Sequence, residues 1–177
     1  PKKFRKLGKA KYLRGNIFIK SSLKKINRYY DYVINCGGYV DHKSKLKVYK
    51  SHYIGCKNLV DLFLKKNIKN FIQIGSGAEY GGLNSPHREN LHCKPKSFYG
   101  MAKLKATKYL LNKYKKNNFP CTIVRLYQVT GINQDNNRLI PFVINSCLNR
   151  NFFPCSDGSQ FRDFLSIQDL ISSIEKI

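Results

Sequence analysis

The sequence predicts an α/β fold, a doubly wound parallel sheet with helices on both faces. Three observations carry this. Short β-rich runs alternate with longer helical stretches along the 177 residues, which is the pattern of successive βαβ units. The runs end in glycine-bearing turns, Cys36-Gly37-Gly38 after one and Gly75-Ser76-Gly77 after the next. The helical stretches between them are long enough to carry the chain back for parallel pairing.

Taken in order, residues 11–14 form a short strand candidate that stops at Gly15-Asn16. Residues 21–27 read as a short helix capped by Ser21 or Ser22. Tyr32-Val33-Ile34-Asn35 reads as a buried strand. Residues 45–66 form a long helix with Val48, Ile54, Leu59, Leu62 and Phe63 available to its inner side. Phe71-Ile72-Gln73-Ile74 is the next strand. Residues 97–114 form a second long helix, with Leu104, Leu110 and Leu111 toward the core. Residues 122–126 form a strand followed by a turn at Gly131. Residues 138–148 are helical with Pro141 in the first turn. Residues 164–167 form a short strand and 168–177 a final helix. Ligands of such sheets bind beyond the carboxyl ends of the strands. That rule places 35–38, 75–80 and 127–131 on one rim.

At 42% hydrophobic and 13% aromatic residues the chain is globular. No apolar run approaches the roughly 20 residues that span a bilayer, and no membrane association is expected. The basic first residues, 1–11, are not followed by the apolar stretch of a secretory signal. The chain begins without Met and ends at Ile177 inside a helical pattern, so a fragment is expected. The net charge of +23 admits a polyanion partner such as RNA. The lysines, however, are scattered over every helical surface, whereas nucleic-acid readers favour arginine and ordered patches. Nucleic acid is therefore not the expected partner, although a basic domain that binds a polyanion is the alternative reading. Of the six cysteines, Cys36, Cys121 and Cys147 lie in apolar segments, and none makes a C-x-x-C or zinc-finger spacing. A reduced, cytoplasmic protein without a metal site follows.

The chemistry concentrates in Ser97-Phe98-Tyr99-Gly100-Met101-Ala102-Lys103. On a helix, residues four apart share a face, so Tyr99 and Lys103 can address one ligand. A free phenol, with a pKa of about 10, is a poor base at neutral pH; an adjacent ammonium favours the phenolate and makes a proton shuttle. The spacing alone is not selective, because Tyr39/Lys43, Tyr53/Lys57 and Tyr109/Lys113 share it. Context selects Tyr99/Lys103: it opens a helix after a strand ending in serine and a proline-bearing loop.

The segments from Phe71 to Gly81 and from Pro95 to Lys103 resemble the extended short-chain dehydrogenase/reductases, the NAD-dependent epimerase/dehydratase family. Asn35-Cys36-Gly37-Gly38, the Val124-to-Gly131 run and Arg162-Asp163-Phe164 with Asp169 are similar to further blocks of that family. The resemblance implies a Rossmann-like domain and NAD or NADP as cofactor. It implies Ser76, Tyr99 and Lys103 as catalytic residues. It puts Asn35, Gly37, Gly38, Tyr99, Lys103 and Gln128 beside the cofactor, and Ser76, Tyr80, Arg138 and Arg162 beside a nucleotide-diphosphate sugar. Read on the residues alone, Ser76 is also explained as a strand-end turn, and Arg162 as an ion-pair partner of Asp163 or Asp169. A homodimer through the two long helices is typical of the family.

Departures from the family pattern shape the expectation. The glycine-rich turn that binds pyrophosphate, with its βαβ unit, is missing, as is most of the C-terminal substrate region. Residues 1–177 are thus expected to be a partial dinucleotide-binding domain, with the substrate-binding region starting at about 131, and to bind dinucleotide poorly alone. Asn16 and His52 stand where the family has Asp and Asn, and Thr130 and Ile132 replace a Tyr and a Pro. Gly77 and Ala78 stand where sugar-nucleotide 4,6-dehydratases carry Asp-Glu. The resemblance therefore points to an epimerase or 4-ketoreductase of deoxysugar and surface-polysaccharide synthesis.

Overall fold

The structure is a computed structural model that describes residues 8–39, 41 and 43–177. The basic residues 1–7 lie outside that range. The chain divides into two compact units, the first ending at Val124 and the second running from Arg125 to Ile177.

The first unit holds a three-stranded parallel sheet of β1 (Tyr32–Asn35), β2 (Asn70–Ile74) and β3 (Cys121–Val124), in that order. Val33 pairs with Phe71, and Phe71 with Cys121. Parallel pairing needs a crossover between strands. The first is one helical run in three parts: α1 (Lys45–Tyr49), a π-helical turn (Lys50–Ile54) and α2 (Gly55–Phe63). The Ser44 side chain caps its start by accepting the Lys47 N–H. The second crossover ends in α3 (Phe98–Asn117), capped by Ser97 and stopped by Asn118, whose φ of 50° is left-handed.

The core lies between the sheet and α2 and α3. Cys56, Val60 and Phe63 of α2 meet Ala106 and Leu110 of α3 over Phe71, with Val33 and Ile123 at the margin. Burying one such large side chain stabilises the fold by about 1.5–3 kcal/mol. Of the expected inner residues of both helices, Val48, Leu59, Phe63 and Leu110 are buried, and Ile54, Leu62 and Leu104 are half-buried. Leu111 is exposed, because the buried stripe of α3 runs through Ala102, Lys103, Ala106, Thr107 and Leu110. Alternation along β1 turns Val33 and Asn35 toward the helices and leaves Tyr32 and Ile34 half exposed, so β1 is not buried throughout.

Other expectations need correction. Residues 11–14 are exposed and make no ladder. The short helix is a 3₁₀ segment, Lys20–Lys25, without a side-chain cap; Ser22 instead donates its hydroxyl to the carbonyls of Asn16 and Ile19. Cys36 and Cys147 are exposed, Cys121 is half-buried, and Cys56 is the cysteine in the core.

The second unit pairs β4 (Gln128–Thr130) in parallel with β5 (Phe164–Ser166). Residues 127–131 are therefore not simply a rim loop: three of them form a strand. Helix α4 (Leu139–Leu148) contains Pro141 in its first turn, as expected. Ser166 caps α5 (Ile167–Glu175), accepting the Asp169 N–H and donating to its carboxylate. Among the described residues no helix is long and apolar enough to cross a membrane.

Candidate active site

The first turn of α3 presents Tyr99, and the next turn presents Lys103. Lys103 is only 6% exposed. Its ammonium donates to the carbonyl of Ile74, the last residue of β2, at 2.6 Å, and lies 5.7 Å from the centre of the Tyr99 ring. Burial pulls Lys103 below the ordinary lysine range, and the charges of Glu79, Cys56 and Cys36 oppose that shift. The other three Tyr/Lys pairs differ. Lys43 is exposed, Lys57 and Lys113 are half exposed, and Lys57 is occupied by Asp61 at 2.8 Å.

Tyr99 is half-buried, and its ring meets that of His52 edge to face, with centroids 5.0 Å apart. The π-helical turn brings His52 inward. One extra residue in a helical turn rotates the side chains that follow, and both Ser51 and His52 are buried. The two grip the backbone of Tyr39: Ser51 accepts its N–H at 3.0 Å, and His52 Nε2 lies 3.2 Å from its carbonyl oxygen. Gly38 closes the other side, since a Cβ there would sit 2.1 Å from His52 Cε1.

Ser76 follows β2 directly. Its hydroxyl accepts the Ala78 N–H at 3.2 Å, and its own N–H donates to Glu79 at 3.0 Å. This is a capping box around the 3₁₀ turn Gly77–Glu79. The turn abuts the start of α3, where a Cβ on Gly100 would lie 2.4 Å from the Ala78 carbonyl oxygen. Glu79 is fully buried, and its second oxygen accepts the Thr107 hydroxyl of α3 at 2.8 Å. Tyr80 is also buried and stacks on His87 at 4.5 Å.

A buried polar chain links the strand ends to α3. Asn35 accepts the Gly37 N–H and donates to Gln73 at 2.7 Å; Gln73 donates to the Ile74 carbonyl at 2.9 Å, beside Lys103. Unmade buried bonds would cost more than made ones contribute, so such a chain specifies a single arrangement. Gln73, Glu79 and Thr107 were not among the expected site residues. The signals for them were a polar residue inside an apolar strand, and a threonine four places after Lys103 on the same helical stripe. An ammonium has three N–H donors; with one of Lys103's on Ile74, the others suit a ribose hydroxyl, so this end of the unit fits the nicotinamide riboside of a dinucleotide.

The remaining expected residues lie in the second unit. Gln128 is exposed on β4. Arg138 is the N-cap residue of α4 and lines a cavity of about 180 Å³ with Gln134 and Asn137. Arg162 is exposed, donates to the neighbouring Phe161 carbonyl and lines a larger cavity of about 670 Å³ with Phe142, Phe153 and Phe164. Asp169 is engaged by Ser166.

Parallel strands, a buried lysine under a tyrosine and a serine at the adjacent strand end define a Rossmann-like α/β protein of the short-chain dehydrogenase type. The family model for the NAD-dependent epimerase/dehydratase family matches residues 1–177, and the chain belongs to that family. Among curated proteins it is 26% identical to dTDP-D-glucose 4,6-dehydratase of Dictyostelium discoideum, over 94% of this chain and 43% of that protein. Among solved structures, UDP-N-acetylglucosamine 4-epimerase of Methanobrevibacter ruminantium superposes with a TM-score of 0.82 at 25% identity, covering 89% of this chain and 54% of that one. The dTDP-glucose 4,6-dehydratase of Bacillus anthracis, in complex with NAD, gives 0.80 at 25% identity, over 92% and 52%. The chain spans about half the length of these relatives.

Proposed function

We propose that this chain carries the Ser76-Tyr99-Lys103 centre of an NAD(P)-dependent nucleotide-sugar epimerase or 4-ketoreductase. The observation that carries the reading is the buried ammonium of Lys103, anchored on the Ile74 carbonyl beneath the Tyr99 ring. Tyr99 moves the proton at the sugar hydroxyl, as base in oxidation and as acid in reduction. Lys103 favours the phenolate and holds the nicotinamide ribose. Ser76 hydrogen-bonds the reacting oxygen. The nicotinamide, when bound, supplies hydride acceptance and donation. Arg162, beside its aromatic cavity, and Arg138 have the charge to meet a diphosphate. Gly77 and Ala78, where 4,6-dehydratases of the family carry acids, favour an epimerase or reductase over a dehydratase. A cytoplasmic homodimer that serves deoxysugar and surface-polysaccharide synthesis completes the proposal.

The test, run on the full-length protein, is nicotinamide absorbance together with chromatographic analysis of products, using UDP-, dTDP- and GDP-sugars. Turnover that disappears in Tyr99→Phe supports the reading. Absence of turnover with every sugar, or turnover indifferent to Tyr99→Phe, refutes it.

A further inference from the structure

Between Phe71 and Ile74 of β2 the only polar side chain is Gln73, which is buried and stands in register with buried Asn35 of β1. Packing alone would be served by an aliphatic residue at 73, which needs no partner, whereas two buried amides are costly unless their bonds are made. Here the bonds run in one sense, which the backbone settles at both ends. The Gly37 N–H can only donate, so Asn35 offers it Oδ1 at 3.1 Å and turns Nδ2 to Gln73 Oε1 at 2.7 Å. The Ile74 carbonyl can only accept, so Gln73 offers it Nε2 at 2.9 Å. That same oxygen receives the Lys103 ammonium at 2.6 Å. A carbonyl oxygen has two lone pairs, and these two donors fill both.

We infer that Gln73 is a positioning residue for Lys103: by taking one lone-pair direction of the Ile74 carbonyl it leaves the ammonium a single direction of approach, and so fixes where the two remaining N–H donors point. The inference deepens the Ser76-Tyr99-Lys103 reading and rests on it, since those donors are the ones assigned there to the nicotinamide ribose. Asn35 holds the Gln73 amide from its other side, so that the amide cannot turn away without breaking two bonds. An ammonium on a flexible four-carbon stem has no directional preference of its own. Without Gln73 it would rock between the two lone pairs of Ile74, and the aim of its other donors would be lost although the bond to Ile74 survived.

The test reads the order of the Lys103 side chain in the full-length protein. The two protons on a lysine ε-carbon have separate magnetic resonance shifts when the side chain is held and one averaged shift when it moves. In protein labelled at the lysine ε-carbon, the Lys103 resonance is the one lost in Lys103→Met. Separate shifts are expected in the wild type and an averaged shift in Gln73→Met, with affinity for NADH or NADPH lower by about 10-fold. Phe63→Leu, a change in the core that touches none of these bonds, should keep the shifts separate, which tells loss of aim from general loosening. Asn35→Leu with Gln73→Met removes both amides and leaves neither half of their mutual bond unmet. That double variant keeps the test decisive should Gln73→Met fold poorly, and it too should show the averaged shift. Separate shifts in either Gln73 variant, an averaged shift in the wild type or in Phe63→Leu, or dinucleotide affinity unchanged in Gln73→Met overturns the inference. The shifts are read without cofactor or turnover, so failure of the enzymatic reading would show separately, in Tyr99→Phe.

Discussion

At the residue scale, the proposed chemistry rests on one phenol and one amine. Tyr99→Phe removes the hydroxyl proposed to move the proton but keeps the ring that packs on His52. Turnover should fall by about 10²- to 10⁴-fold, with a circular-dichroism melting curve close to wild type. Lys103 also predicts a pH effect on stability. Its folded pKa is depressed by burial, so between that value and the unfolded one of about 10.4 the unfolded chain binds more protons. Its contribution to stability therefore rises with pH across that window. Urea midpoints compared from pH 7 to pH 10 should climb less, or fall more, in Lys103→Met than in wild type; parallel curves would contradict the buried ammonium. The Tyr-x-x-x-Lys spacing and its strand-loop-helix setting made this pair legible in the sequence. Gln73, Glu79 and Thr107 were not legible, because their partners stand 28 or more places away or are backbone atoms that no pattern exposes.

At the element scale, α3 is the part that must not shift. Its start is held by the Ser97 cap, which accepts the Gly100 N–H at 3.0 Å. Ser97→Ala should cost about 1 kcal/mol, read as a lower urea midpoint. Gly100→Ala should cost more, because its Cβ would strike the carbonyl of Ala78, which is backbone and cannot swing away. If Gly100→Ala is as stable as wild type, the close seating of α3 on the Ser76 turn is wrong. Most helices and the three strands of the first unit could be read from periodicity and caps. The π-helical turn at Lys50–Ile54 could not be. It has no composition signature, yet it buries His52 against Tyr99.

At the scale of the whole molecule, the charge of +23 is carried largely by exposed lysines, and ion pairs such as Lys69–Asp31 are themselves exposed. Self-repulsion of this kind opposes compaction and is screened by salt. The melting temperature should therefore rise between about 0.05 and about 0.5 M sodium chloride, followed by circular dichroism; a flat response would show the charges to be too dispersed to matter. The sequence by itself determined the α/β class, the three strands of the first unit with the helices between them and the Tyr99/Lys103 pair, because hydrophobic period, caps and short motifs are local properties of a chain. Only the tertiary structure decided that β1 is half exposed, that 128–130 is a strand, that Gln73 and Lys103 share the Ile74 carbonyl, and that Glu79 joins Ser76 to Thr107. Those outcomes depend on which distant segments share a buried space, where an unmet polar group is costly and every partner must come from elsewhere in the chain.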